Sequence, residues 1–226
     1  MSKLNGSVDV LYKGCTLRAI THALWARQYP FAKYLFYWDD INCHINDMEG
    51  NLATISFFDD GIVGAIFRKD YFETETAISH LEFVNSILAS MPSNLKKRAE
   101  SETLQYFIQV VDEEKIPIVT NIFWSEEDDL ISTISQVEWS KIWDKLIRIQ
   151  LMDTERAFHE LQKDYELNIE ELKLIELLYI KRNKSPLKQV KIKLDSVFEK
   201  ILNKGEGEIT KELLERIGIT LTNRKK

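Results

Sequence analysis

Between Trp38 and Asn46 the chain reads Trp-Asp-Asp-Ile-Asn-Cys-His-Ile-Asn, placing an indole, two carboxylates, two amides, a thiol and an imidazole in one short run. Read as a single strand, its side chains alternate, so Trp38, Asp40, Asn42, His44 and Asn46 share a face. Such a row could bind a polar ligand, or support acid/base chemistry if Asp40 and His44 approach a third group. The spacing itself supplies no nucleophile and no oxyanion donor. The outer face of an antiparallel sheet is also ordinarily polar, so a purely structural reading stands beside the chemical one.

A second run, Ser125-Glu126-Glu127-Asp128-Asp129, follows Phe123-Trp124. Four consecutive carboxylates repel one another and mark an exposed edge. They could meet Lys or Arg on a partner, with Trp124 as the aromatic anchor. The same residues also read as an ordinary helix start at Ser125 and Asp128.

Other chemistries find little support. The eight glycines form neither GxGxxG nor GxxxxGK[ST], and GxSxG and HExxH are absent. The four histidines, at 22, 44, 80 and 159, lie far apart, and Cys15 and Cys43 form no CxxC. No metal or cofactor is therefore expected. Two unpaired thiols suit a reducing compartment, and neither an apolar leader nor a membrane-length run occurs, so a cytoplasmic protein away from membranes is expected. With 226 residues, 44% of them hydrophobic, the chain predicts one large domain, or one domain plus an appendage.

The elements that must hold these residues follow from periodicity. Leu17, Ile20 and Leu24 predict a short first helix, Thr16 to Tyr29, capped by Thr16 and stopped by Pro30. Residues 37 to 68 predict a three-stranded antiparallel meander. Asp60-Gly61 is its type I′ turn, with Phe58 opposite Val63, Phe57 opposite Gly64 and Ile55 opposite Ile66. Phe57, Ile55 and Ile66 then share one face, and Phe58, Val63 and Phe67 the other.

Ile78, Leu81, Val84 and Leu88 predict a helix closed by Met91-Pro92. A second helix starts at Ser93/Asn94 and ends near Lys115, and Ile116 to Trp124 predicts a buried strand in the same sheet. Beyond Glu138 the pattern is mainly helical. Trp139, Ile142, Trp143 and Leu146 form one stripe, Ala157, Phe158, Leu161 and Tyr165 another, and Asn168 with Glu171 forms a capping box. Lys181 to Pro186 reads as a basic break, followed by an amphipathic helix from Val190 to Ile201 and a short helix around Lys211 to Arg216.

The fold class expected is α+β: a small antiparallel sheet of about four strands packed by helices, with a mainly helical C-terminal half. Residues 1–180 form the globular domain and residues 184–226 a basic helical extension. Charge divides along the same line: −9 over residues 1 to 130, −4 over 131 to 180 and +7 over 181 to 226. An acidic body attracts a cationic partner, and a basic tail suits nucleic acid or acidic protein. The last stretch, Ile209 to Thr220, looks like the first half of a helix-turn-helix without a recognition helix, which favours docking over DNA reading.

Trp38-Asp39-Asp40-Ile41-Asn42, Gly50 to Phe57, Gly61-Ile62-Val63-Gly64 and Pro117 to Ser125 together resemble a poorly characterised family of bacterial α+β proteins. That family is similar to the immunity proteins of polymorphic toxin systems. The resemblance covers residues 35 to about 180, and the Lys-rich stretch after Arg182 departs from it. With the −9 body and the lack of catalytic motifs, it leads to the expectation of a non-catalytic module that occludes a cationic toxin or effector; a basic protein is the partner expected, with a homo-oligomer left open. The expected contacts are Trp38, Asp40 and Asn42 on the polar strand face, with Trp124, Glu126, Glu127, Asp128 and Asp129 on the acidic edge. The alternatives are an enzyme using Asp40 and His44 on a nucleotide or small polar substrate, and a structural or regulatory subunit of a bacterial defence assembly docking through its tail.

Overall fold

Helix α1, Val8–Ala26, is apolar on nearly every side, and residues as closely spaced as Leu11, Gly14, Cys15, Leu17, Ile20 and Leu24 are all buried. A helix without a polar face must be surrounded, and α1 lies at the centre of the molecule. It starts at Ser7, whose hydroxyl accepts from the Val10 amide at 3.3 Å. The expected cap, Thr16, is instead buried in mid-helix. The computed structural model describes residues 1–72, 77–111, 113–135, 138–139, 146–185, 188–194, 196–203 and 205–222.

One sheet runs beneath α1. Its strands are β1 (Ser2–Ser7), β2 (Phe36–Asp39), β3 (Asn42–Asn46), β4 (Leu52–Phe58), β5 (Gly61–Phe67), β8 (Asn121–Glu126) and β9 (Asp129–Ser132), in the order β1-β9-β8-β5-β4-β3-β2, every pair antiparallel. The α+β class holds, but the sheet has seven strands rather than about four. The added strands carry weak local signals. The short β1 has no apolar alternation, and the four-residue β9 begins with a carboxylate.

Both sheet faces are covered. One packs against α1 and the C-terminal elements, joining Ile45, Ile55 and Phe123 to Leu11, Ile20 and Leu24. The other carries Val63 and Trp124 against Val84, Leu88, Leu95 and Leu104. These last residues come from α3 (Ala77–Ser90), α4 (Ser93–Ser101) and a 3₁₀ turn at Thr103–Phe107, with a short α2 at Lys69–Phe72 before them. At Gly64 a Cβ would stand 2.0 Å from the Phe123 ring across the strand pair. Glycine there lets that ring lie over the sheet and meet Trp139 edge-on at 4.9 Å.

Several boundaries move. The β4–β5 turn is Asp59-Asp60, which places Phe58 opposite Gly61 and Phe57 opposite Ile62. That shifts the expected register by two residues. Because the shift is even, each side chain keeps its expected face. The second predicted helix stops at Ser101, and β6 (Ile108–Val111) and β7 (Glu114–Pro117) form a separate hairpin bent at Glu113, whose φ is +69°. Ile116 to Trp124 is therefore two strand segments, of which β8 joins the sheet. Ile142 and Trp143 lie outside the described residues.

In the C-terminal part, α5 (Thr154–Asp164) precedes α6 (Ile169–Asn183), and the Asn168/Glu171 capping box is present. Val190–Lys193 is strand β10, not helix, and pairs in parallel with β11, Ile219–Thr222. Between them lie α7 (Ser196–Leu202) and α8 (Gly207–Arg216). Leu213, Leu214 and Ile219 belong to the same apolar cluster as α1, and the Thr210 hydroxyl donates to the Ala23 carbonyl at 2.8 Å. The basic tail is packed on the body.

Candidate functional site

The run from Trp38 to Asn46 is a hairpin rather than one strand. Trp38 pairs with Cys43, Tyr37 with His44 and Asp39 with Asn42, leaving Asp40 and Ile41 as the turn, with Asp40 at φ +53°. Directly opposed residues share a face, so a two-residue turn puts even-numbered residues of β2 with odd-numbered residues of β3. Trp38 therefore faces α1, while Asn42 and His44 face the opposite way. Asp40 is exposed at the tip. The expected polar row is divided between two faces.

Asn42 and His44 are nearly fully buried, covered by the 3₁₀ turn. Asn42 Nδ2 donates to Glu102 Oε1 at 2.7 Å and to the Tyr106 hydroxyl at 3.1 Å, and its Oδ1 accepts from Ser56 Oγ at 2.5 Å. Tyr106 in turn donates to Asp39 Oδ2 at 3.2 Å. Burial, reinforced by Asp39, raises the Tyr106 phenol to about 12. His44 lies against Tyr37 and Tyr106, with centroids 4.7 and 4.2 Å away, and its Nδ1 meets Thr54 Oγ1 at 3.0 Å. Burial lowers its pKa to about 4, so it is neutral at pH 7. Tyr37, His44, Thr54 and Tyr106 border a cavity of about 350 Å³ that also includes Tyr34 and Phe107. Asp40 is not among its lining, so the imagined Asp40/His44 acid/base pair is not assembled.

On the opposite face, Trp38 stacks on Phe57 at 5.3 Å and 19°, and Tyr12 meets both rings edge-on at 6.1 and 5.3 Å. This aromatic wall lines a cavity of about 390 Å³, completed by Asp40, Arg182, Lys188, Gln189, Glu215 and Arg216. Arg182 Nε donates to the Ile217 carbonyl and Nη1 to the Ser185 carbonyl at 2.9 Å. Arg216 Nη1 reaches the Trp38 carbonyl at 3.4 Å. Burial raises the Tyr12 phenol, opposed by Arg182 and by its hydrogen bond with Thr16. Sequence reasoning found Trp38 and Asp40 but not the tail residues. Their only signal was the positive charge after residue 181, because nothing local says where a tail will pack.

The acidic run is the β8–β9 hairpin and not a helix start: Glu126 pairs with Asp129, and Glu127 turns the chain at φ +57°. Trp124 is fully buried, its Nε1 donating to Glu126 Oε1 at 3.2 Å, so it cannot be a surface anchor. Ser125 is buried too and accepts from the Ile62 amide at 2.9 Å. Glu126, Glu127 and Asp128 are exposed, while Asp129 pairs with Lys3 at 2.6 Å.

Registers place this hairpin beside two others. Asn42 lies opposite Ser56, and Val63 opposite both Ser56 and Trp124, so the β2–β3, β4–β5 and β8–β9 turns lie at one end of the sheet. Asp40, Asp59, Asp60, Glu126, Glu127 and Asp128 are all exposed there. Successive turns are two strands apart, so at 4.7–4.9 Å per strand the acidic end extends about 20 Å. Asp60 is partly neutralised by Arg98 at 2.9 Å.

Cys15 and Cys43 are buried next to each other across the α1–sheet interface, where burial and the Cys15 thiol raise the Cys43 pKa. Among the described residues, no group of three or more His, Cys, Asp or Glu is arranged to hold a metal, and no helix is long and apolar enough to cross a membrane. Comparison with family models, curated proteins and solved structures gives no match.

Proposed function

We propose that this protein is a non-catalytic binding module whose acidic sheet end engages a basic protein, as an inhibitor occluding a cationic toxin or effector would. The observation that carries this reading is the convergence of three acidic turns on one end of a single sheet. The base of the β8–β9 turn is fixed by buried Trp124 and Ser125, so Glu126, Glu127 and Asp128 are displayed with little ordering cost on binding. Complementary charge of this kind speeds encounter and selects partners. Of the expected contacts, Asp40, Glu126, Glu127, Asp128 and Asp129 remain in this proposal. Trp38, Asn42 and Trp124 support the surface from within.

The test is affinity purification from the native host at low salt, with native mass spectrometry of what is retained. The wild-type chain is expected to hold a stoichiometric basic protein that leaves as salt is raised. The triple variant Glu126→Lys, Glu127→Lys, Asp128→Lys is expected to hold none. Equal retention by the variant would show that the acidic end is the wrong surface.

A further inference from the structure

The cavity between the aromatic wall and the C-terminal tail combines features that the acidic end lacks. Its walls come from distant parts of the chain: Tyr12 and Thr16 on α1, Trp38, Asp40 and Ile41 at the β2–β3 turn, Phe57 on β4, Arg182 at the end of α6, and residues 188–189 and 215–218 of the tail. At about 390 Å³ it lies within the range of roughly 300–1,000 Å³ typical of small-ligand sites. Three cations, Arg182, Lys188 and Arg216, share its lining with two carboxylates, Asp40 and Glu215. In a chain of net charge −6 these cations gather at one cavity, with Arg216 also held by Glu212 at 3.1 Å.

The side chains are positioned rather than merely nearby. Backbone carbonyls of Ile217 and Ser185 orient Arg182, and the Trp38 carbonyl orients Arg216. Gly218, at φ +77°, follows α8 and brings the chain against Arg182; a Cβ there would lie 3.5 Å from the guanidinium. The Trp38 indole nitrogen is buried without a hydrogen-bond partner among the described residues. Aromatic rings favour a planar ligand group, guanidinium and ammonium groups favour a phosphate, and carboxylates accept from hydroxyl or amino groups.

We propose that this cavity binds a nucleoside monophosphate, its base against Tyr12, Trp38 and Phe57 and its phosphate toward Arg182, Lys188 and Arg216. Asp40 and Glu215 receive the donors of the sugar and base. The basic tail then has a role of its own: it completes a small-molecule site that shares Asp40 with the acidic end.

Isothermal titration with AMP and UMP, beside adenosine and inorganic phosphate, tests this directly. Saturable one-to-one binding of at least one nucleotide is expected, tighter than either fragment. Lys188 is exposed, and Lys188→Glu is expected to weaken binding by about ten-fold or more, the order of one lost ion contact to phosphate. Phe57→Leu is expected to weaken the nucleotides while leaving phosphate unchanged, and Glu127→Lys to leave all affinities unchanged. Melting temperatures of the free variants separate a lost contact from a lost fold. Absence of binding by both nucleotides overturns the proposal. So does phosphate binding as tightly as AMP, or full affinity in a folded Lys188→Glu protein.

Discussion

Replacing Glu171 with Gln is expected to destabilise the protein by about 3 kcal/mol, because it breaks a buried ion pair while leaving a helix cap in place. Arg27 and Glu171 retain 2% and 8% of their side-chain exposure, and Arg27 Nη2 meets Glu171 Oε1 at 2.5 Å. Arg27 Nη1 donates to the Leu24 carbonyl, and its Nε has no partner among the described residues. Glu171 Oε2 meanwhile accepts from the Asn168 amide at 3.1 Å, closing the capping box of α6. Gln can still accept that hydrogen bond but leaves the Arg27 charge buried and uncompensated. Removal of one member of such a pair costs about 3–5 kcal/mol, and Glu171→Ala should add about 1 kcal/mol for the cap.

The same junction holds the tail, since the Arg27 carbonyl accepts from the Glu206 amide at 2.9 Å. Urea denaturation followed by circular dichroism measures the loss, and for a chain of this size it should appear as a fall in melting temperature of roughly 6–12 °C. A double-mutant cycle of Arg27→Met, Glu171→Met and Arg27→Met/Glu171→Met isolates the pair. The double variant is expected to be closer to wild type than either single variant at these positions, because neither charge is then left alone. A loss under about 1 kcal/mol in Glu171→Gln, the range of exposed pairs, would refute the reasoning.

Two further predictions address pH and the tail. His22 is buried between the Ala32 carbonyl, to which Nε2 must donate at 2.9 Å, and the Tyr165 hydroxyl at 3.3 Å from Nδ1; burial lowers its pKa to about 4, as it does for His44. The unfolded chain then takes up protons first as pH falls below about 6.5, so stability should decline from there to about pH 4 and change little from these groups below it. Each imidazole contributes roughly 3 kcal/mol to that decline, and urea titrations of His22→Gln and His44→Gln at pH 7.5 and 5 should show a smaller difference between the two pH values than wild type does. Deleting residues 184–226 uncovers the α1 surface that packs against Leu213, Leu214 and Ile219. Binding of a hydrophobic dye and loss of a cooperative melt are expected, whereas an intact cooperative melt would mean the tail is a separable arm.

How legible the candidate site was depended on how local its determinants were. The Asn168/Glu171 capping box was readable because it lies within a single helical turn. The facial partners of Phe57 and Phe58 were readable because strand alternation survives an even register shift. The division of Trp38 from Asn42 and His44 was not, since Asp40-Ile41 carries no glycine or proline to announce a turn and Asp40 adopts φ +53° regardless. Trp124 looked like a surface anchor because it adjoins four acids, yet cross-strand pairing buries it and leaves the acids outside.

By itself the sequence determined the α+β class, the acidic body and basic tail, the alternation that covers both faces of β4 and β5, and the exposure of the carboxylates at 126–128. Composition, period and charge are properties of single residues and near neighbours, and physics acts on them before any long-range contact forms. Only the tertiary structure decided that three acidic turns meet at one sheet end, that Asn42 and His44 are covered, and that Arg182, Lys188 and Arg216 face an aromatic wall more than 120 residues earlier in the chain. Those arrangements depend on strand order and on where the tail buries its apolar side chains. No local window of sequence contains either.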